Sequence, residues 1–242
     1  MATENHNGQP HMKIVMRPRW RELLFLHWPI EPHLLEPLLP PGLEVDTFEG
    51  SAYIGLVPFL MRDSRPGFVP ELELRHLTDD FAEVNVRTYV RHKGQNPGVW
   101  FFSLDAASLP AVIAARLWFK LPYFWARMHT GSAGRYYSRR LWPGPKPAKC
   151  RLKYLVEEEE ARVAEAGSLQ EFLVERYSLY SRRGNQLFCG QVSHEPYRIQ
   201  QAQVLELSEN LVAAAGVQVL GAPPLAHYSA GVDVNVLPLK RI

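Results

Sequence analysis

The stretch 81-FAEVNVRTYVR-91 alternates at period two. On a β-strand Ala82, Val84, Val86, Thr88 and Val90 point one way, and Glu83, Asn85, Arg87, Tyr89 and Arg91 point the other. One face is smooth and apolar. The opposite face carries an acid, an amide and a guanidinium in a row. That polar face either meets water, as on an ordinary sheet surface, or lines an enclosed pocket, and alternation alone fits both.

Working outward, His92–Pro97 reads as a turn and 98-GVWFFSLDA-106 as the antiparallel partner. Upstream, 22-ELLFLHWP-29 reads as a buried strand. The leucines of 31-EPHLLEPLL-39 have helical spacing and stop at Pro40-Pro41-Gly42. Residues 43–48 and 51–61 flank Glu49-Gly50 and predict a hairpin, and residues 62–80 predict a long loop placed to act as a lid. Downstream, Ser108 is positioned to cap a helix over 110–120, with Pro110 in its first turn. Strands are predicted at 122–129, 135–142, 149–155, 174–181, 187–196 and 227–239. Ser168 and Glu171 form a capping box for 169–173, and Ser208 is expected to cap a helix over 209–215 closed by Gly216. The prediction is a mainly β chain with a few short helices (α+β), an antiparallel barrel or sandwich with helices on its rim. Residues 1–11 read as a disordered tail and 12–242 as one domain.

Of 242 residues, 46% are hydrophobic, which suffices for a sizeable core, and the net charge of +2 argues against nucleic acid or an anionic membrane as the main partner. Cys150 and Cys189 are too few for a disulfide framework. The polar first eleven residues lack the apolar run of a secretory signal, and the most apolar window, 111–128, is broken by Arg116, Lys120, Pro122 and Arg127. A soluble, cytoplasmic protein is therefore expected. No dinucleotide, Walker, H-E-x-x-H, C-x-x-C or G-x-S-x-G signature occurs, and the histidines lack ligand spacing. Neither a cofactor nor a metal is expected. The basic run 139-RRLWPGPKPAKCRLK-153, closely followed by 157-EEEE-160, reads as a solvated hairpin and loop.

Other strands carry polar faces too. Tyr123, Trp125 and Arg127 share one face of 122–129, and on 174–181 Tyr177 and Tyr180 fall on opposite faces. Turned inward, such faces line a polar pocket in the mouth of a small barrel, where an arginine can clamp a carboxylate. Turned outward, they are solvated or form a dimer surface.

The segments FLHWP (25–29), LLPPGLEVDTFEGSAYIGLVPF (38–59), EVNVRTYVR (83–91), GVWFFSLDA (98–106), ERYSLY (175–180), SHEPY (193–197) and HYSAGVDVNVLPL (227–239) together resemble the YqjF-like bacterial proteins. That uncharacterised family is placed by fold among relatives of acetoacetate decarboxylase. The resemblance implies a curved, largely antiparallel β-barrel with one internal cavity. The decarboxylase works through a Schiff-base lysine whose pKa a second lysine lowers, in a pattern like G-R-E-x-x-G-x-P-K-K. Against 115-ARLWFKLPYFW-125, Arg116 and Pro122 fall in register, and Tyr123 and Phe124 stand at the lysine positions. The decarboxylase glutamate, in a Y-x-E-like strand, maps to Glu83. The resemblance thus keeps the acid and loses the nucleophile.

The expected site comprises Glu83 as general acid or base, Arg87 and Arg127 as carboxylate anchors, Tyr123 as a hydrogen-bond donor, and Asn85, Tyr177, Tyr180 and His27 as further lining. The expected function is binding of a small carboxylate or carbonyl compound, with or without enzymatic activity that bypasses an imine. The alternative is a non-catalytic ligand sensor or a scaffold, with a homo-oligomer as one form it can take.

Overall fold

The structure, a computed structural model, describes residues 14–66, 80–132, 134–144 and 148–242. The first long strand is β1 (Met16–Ile30), followed by a short helix α1 (Pro32–Leu35) and a single 3-10 turn over Glu36–Leu38. Then come β2 (Leu43–Val45), β3 (Ala52–Pro66), β4 (Phe81–His92) and β5 (Gln95–Ala106). Helix α2 (Leu109–Ala114) starts at Ser108, whose hydroxyl accepts from the Ala111 amide as expected. It widens into a π turn over Ala115–Phe119 and ends at Lys120 in a left-handed conformation. Strands β6 (Tyr123–Gly131), β7 (Arg135–Trp142) and β8 (Lys149–Val156) form a meander, and the short β9 (Arg162–Val163) precedes α3 (Leu169–Val174). The chain continues through β10 (Ser178–Arg183), β11 (Gln186–Ser193), β12 (Arg198–Glu209), α4 (Leu211–Ala214), β13 (Leu225–Asp233), β14 (Asn235–Val236) and β15 (Lys240–Arg241).

The protein is mainly β with few short helices, and its strands pair into two rings that share a wall. One ring runs β1-β3-β4-β5-β6-β7-β8-β12-β13 and returns to β1; the other runs β1-β3-β4-β5-β10-β11-β14 and returns to β1. The shared strands therefore have two interior faces. Leu24, Leu26, Ile54, Leu56, Val84 and Val86 pack into the first core, while Phe25, Tyr53, Val57, Phe59, Tyr89 and Val99 pack into the second. This explains why 23-LLFL-26 reads as a continuous apolar run rather than an alternation.

Several expectations are corrected. The sheet is mixed, not antiparallel throughout: β5 pairs parallel with both β6 and β10. The β5–β6 pair is possible because α2 and its π turn carry the chain back, as a parallel connection requires. Residues 43–61 do not form a hairpin. β2 instead extends the far edge of β4, with Leu43 opposite His92, and only a Phe48–Ser51 bridge spans the turn. Strand β10 begins at Ser178, four residues later than predicted, because α3 runs on to Val174. Ser208 lies inside β12 and caps nothing; Asn210 precedes α4, and the Glu209 carboxylate accepts from the Val212 amide. The β3 strand occupies the start of the predicted 62–80 loop, of which 67–79 lie outside the described residues, as does the 1–11 tail. No helix among the described residues is long and apolar enough to cross a membrane.

Candidate functional site

The polar face of β4 turns inward, toward the second core. Glu83, Asn85 and Tyr89 are all buried, with Glu83 at 2% exposure. Neither a solvated face nor an exposed dimer surface describes it. Val84 and Val86 on the opposite face fill the first core.

At one end of this row sits Glu83. Antiparallel pairing sets it beside Phe59 of β3 and Ala106 of β5. The parallel β5–β6 register brings Tyr123 to the same face, opposite Leu104. The Tyr123 hydroxyl donates to Glu83 Oε2 at 3.0 Å. Burial pushes the Glu83 carboxyl up to about 8, and the nearby Asp105 charge adds to this against the opposing pull of the Tyr123 bond. Glu83 is therefore mostly a neutral carboxylic acid at pH 7, able to donate a proton. The Tyr123 phenol is held well above its usual range, first by burial and then by Glu83.

At the other end sit Arg87, Tyr89 and, from β1, His27. Helix α3 ends at Val174, so the Leu173 carbonyl has no partner one turn on. It accepts from the Tyr89 hydroxyl at 2.6 Å and from Arg87 Nη2 at 3.0 Å. Tyr89 has a single proton, and Leu173 takes it. The contact of His27 Nε2 with the Tyr89 oxygen at 2.7 Å must then be donated by the imidazole. That fixes the tautomer: Nε2 carries the hydrogen and Nδ1 keeps a bare lone pair. Burial, then Arg87 and His227, hold His27 well below its ordinary value, so the ring stays neutral. Gly55 provides the room. A Cβ there would meet His27 Nε2 at 3.2 Å and Arg87 Cγ at 3.4 Å.

Three buried atoms in this wall have no partner: His27 Nδ1, Asn85 Oδ1 and Arg87 Nε. Among the described residues no carboxylate pairs with Arg87; its guanidinium lies 5.5 Å from the Phe25 ring and 5.7 Å from that of Tyr89. Buried polar groups are normally satisfied, so two spare acceptors, on His27 and Asn85, and a spare cationic donor on Arg87 stand out on the inward faces of β1 and β4.

Three predicted residues lie elsewhere. Arg127 shares the face of Tyr123, but the cover provided by α2 gives out along β6 and Arg127 is exposed. Tyr177 is exposed and bonds Glu175, while Tyr180 packs with Leu43, Val90 and Leu187 and donates to the Asn96 carbonyl at 2.6 Å. Two residues that matter were not singled out. Asp105 is fully buried and takes a forked bond from Arg140 (Nε to both oxygens at 3.1 Å, Nη2 at 2.7 Å). Arg140 belongs to the basic run read as solvated, yet its side chain is 9% exposed and stacks 3.7 Å from the Phe124 ring. No group of metal-ligating side chains occurs among the described residues.

Comparison with known proteins places the chain. Residues 17–233 match the DUF2071 family model, described as an uncharacterized conserved protein. The chain belongs to this family. It is 38% identical over 231 residues to the uncharacterized protein YqjF of Bacillus subtilis strain 168, covering 94% of this chain and 92% of the relative. Among solved structures, an acetoacetate decarboxylase-like enzyme from Sphingomonas wittichii RW1 aligns with a TM-score of 0.62 at 15% identity, over 94% of this chain and 92% of that one. The enduracididine biosynthesis enzyme MppR complexed with pyruvate aligns at 0.57 and 14% identity, over 97% and 92%. At such identities the likeness is one of fold. This DUF2071 chain thus has an acetoacetate decarboxylase-like fold.

Proposed function

We propose that this DUF2071 protein binds a small carboxylate- or carbonyl-containing molecule inside the ring closed by β10, β11 and β14, a barrel-like enclosure. One observation carries the reading. A neutral, buried Glu83 held by Tyr123 shares a strand face with Arg87, which has no carboxylate partner among the described residues. Arg87 anchors the ligand's carboxylate, and the neutral Glu83 carboxyl, held by the Tyr123 hydroxyl, donates to its carbonyl oxygen. His27 Nδ1 offers a neutral base. The pyruvate held by MppR is of the same chemical class.

The chemistry does not proceed through an imine. Tyr123 stands where the resemblance places the decarboxylase lysine, and a phenol cannot form a Schiff base. Lys120, nearest in sequence, packs its ammonium 4.3 Å from the Phe188 ring. Pyruvate and acetoacetate are expected to raise the melting temperature saturably, and borohydride with either is expected to leave no adduct by mass spectrometry. A covalent adduct overturns the imine-free chemistry, and the absence of any ligand response overturns the binding site.

A further inference from the structure

A cleft lies where the π turn, β5 and β10 meet. Its volume is about 590 Å³ and its described lining includes Arg116, Lys120, Arg182 and Arg183, with Trp100 and Phe102 as an aromatic wall. No aspartate or glutamate is among the described residues that line it. The whole chain carries only +2, so four cations without a carboxylate are a local concentration rather than a general basicity. None of the four has an ion-pair partner among the described residues. Arg116 Nη1 donates to the Tyr123 carbonyl, and its guanidinium lies 6.0 Å from the Trp142 ring. Lys120 rests on Phe188. These contacts position the two side chains without neutralising them. Ser181 is 1% exposed, lines the same cleft, and its hydroxyl has no partner. The π turn that delivers Arg116 and Lys120 is a helix irregularity of a kind frequent at functional sites.

We propose that this cleft binds an organic polyanion with a flat ring, of the nucleoside phosphate class. The four cations take the phosphates, with arginine forks suited to their paired oxygens. Trp100 and Phe102 take the ring, and the volume falls in the range of small-molecule sites. The site is separate from the Glu83 wall: neither Glu83 nor Arg87 lines it.

The test is calorimetric titration of the full chain with ATP, adenosine and inorganic triphosphate at two salt concentrations. ATP is expected to bind saturably and to weaken with salt, and adenosine and triphosphate are each expected to bind more weakly than ATP. The double variant R182E/R183E, on an exposed strand end, is expected to lose roughly tenfold or more in ATP affinity, and R182K/R183K to keep most of it. Circular dichroism checks that both variants fold. ATP binding that is absent at millimolar concentration, or equal in the charge-reversed variant, overturns the site. Triphosphate binding as tightly as ATP overturns the role of the aromatic wall.

Discussion

Glu83 is where residue chemistry has the clearest consequence for the whole chain. Its carboxyl titrates near 4.5 in the unfolded chain and about 8 when folded. Between those values the folded protein holds a proton that the unfolded chain has lost. The Glu83 contribution to stability therefore falls as pH rises from about 4.5 to about 8, and is constant above. A tenfold change in proton affinity is worth roughly 1.4 kcal/mol, so keeping this acid buried costs several kcal/mol at high pH. Glu83→Gln removes the titration and keeps a carbonyl oxygen that accepts from Tyr123. The variant should melt above the wild type at pH 9, with the gap closing toward pH 5. Parallel melting curves at every pH would show that the carboxyl is not held neutral. His27 has the opposite slope. Its depressed folded value means that stability is present above its ordinary value of 6.5 and is lost as pH falls below it, so the two residues oppose each other across the mildly acidic range.

At the scale of elements, β5 is the hinge of the topology: one edge pairs antiparallel with β4, and the other is split, pairing parallel with β10 at Val99 and Trp100 and with β6 at Leu104–Ala106. Gly98 makes the β10 approach possible: a Cβ there would meet the Ser178 carbonyl oxygen at 2.7 Å and the Tyr180 ring at 2.9 Å. Backbone cannot yield as a flexible side chain can. Gly98→Ala is expected to cost about 1–3 kcal/mol in urea unfolding, whereas Gly131→Ala, with only Arg135 Cβ at 3.5 Å, should be nearly neutral. Equal effects would mean that the β5–β10 seam is looser than the contact distances imply. The same seam shows what a sequence can and cannot carry. Strand β4 and its partner β5 are legible from alternation and a turn, because both signals are local. The pairing of Leu179 with Val99 joins segments far apart in sequence and leaves no local mark. Strand β12 is hidden for another reason. A bulge between Val204 and Glu206 shifts its parity, so Ala202 and Val204 face the first core with Leu207, and the exposed Leu205 breaks the alternation.

For the whole molecule, the decisive feature is that β1, β3, β4 and β5 belong to both rings. Sharing also explains which of the predicted residues the fold turns inward. Glu83, Asn85, Arg87 and His27 sit on shared strands, where any polar residue is an exception within two apolar faces. Arg127 and Tyr180 lie on strands belonging to one ring, where pattern alone does not tell an enclosed stretch from an open one. The shared wall has a thermodynamic consequence as well. Neither core can melt alone, because removing one exposes the apolar residues on one face of four strands still committed to the other. Leu26 is fully buried in the first core and Phe25, its neighbour, is fully buried in the second. Leu26→Ala and Phe25→Ala should each lower stability by roughly 2–5 kcal/mol. Each should do so through one transition, with far-UV dichroism and tryptophan fluorescence coinciding in urea. If Phe25→Ala instead separates the two signals, leaving β6, β7, β8 and β12 folded after the second core has melted, the rings are independent units and the shared wall does not couple them.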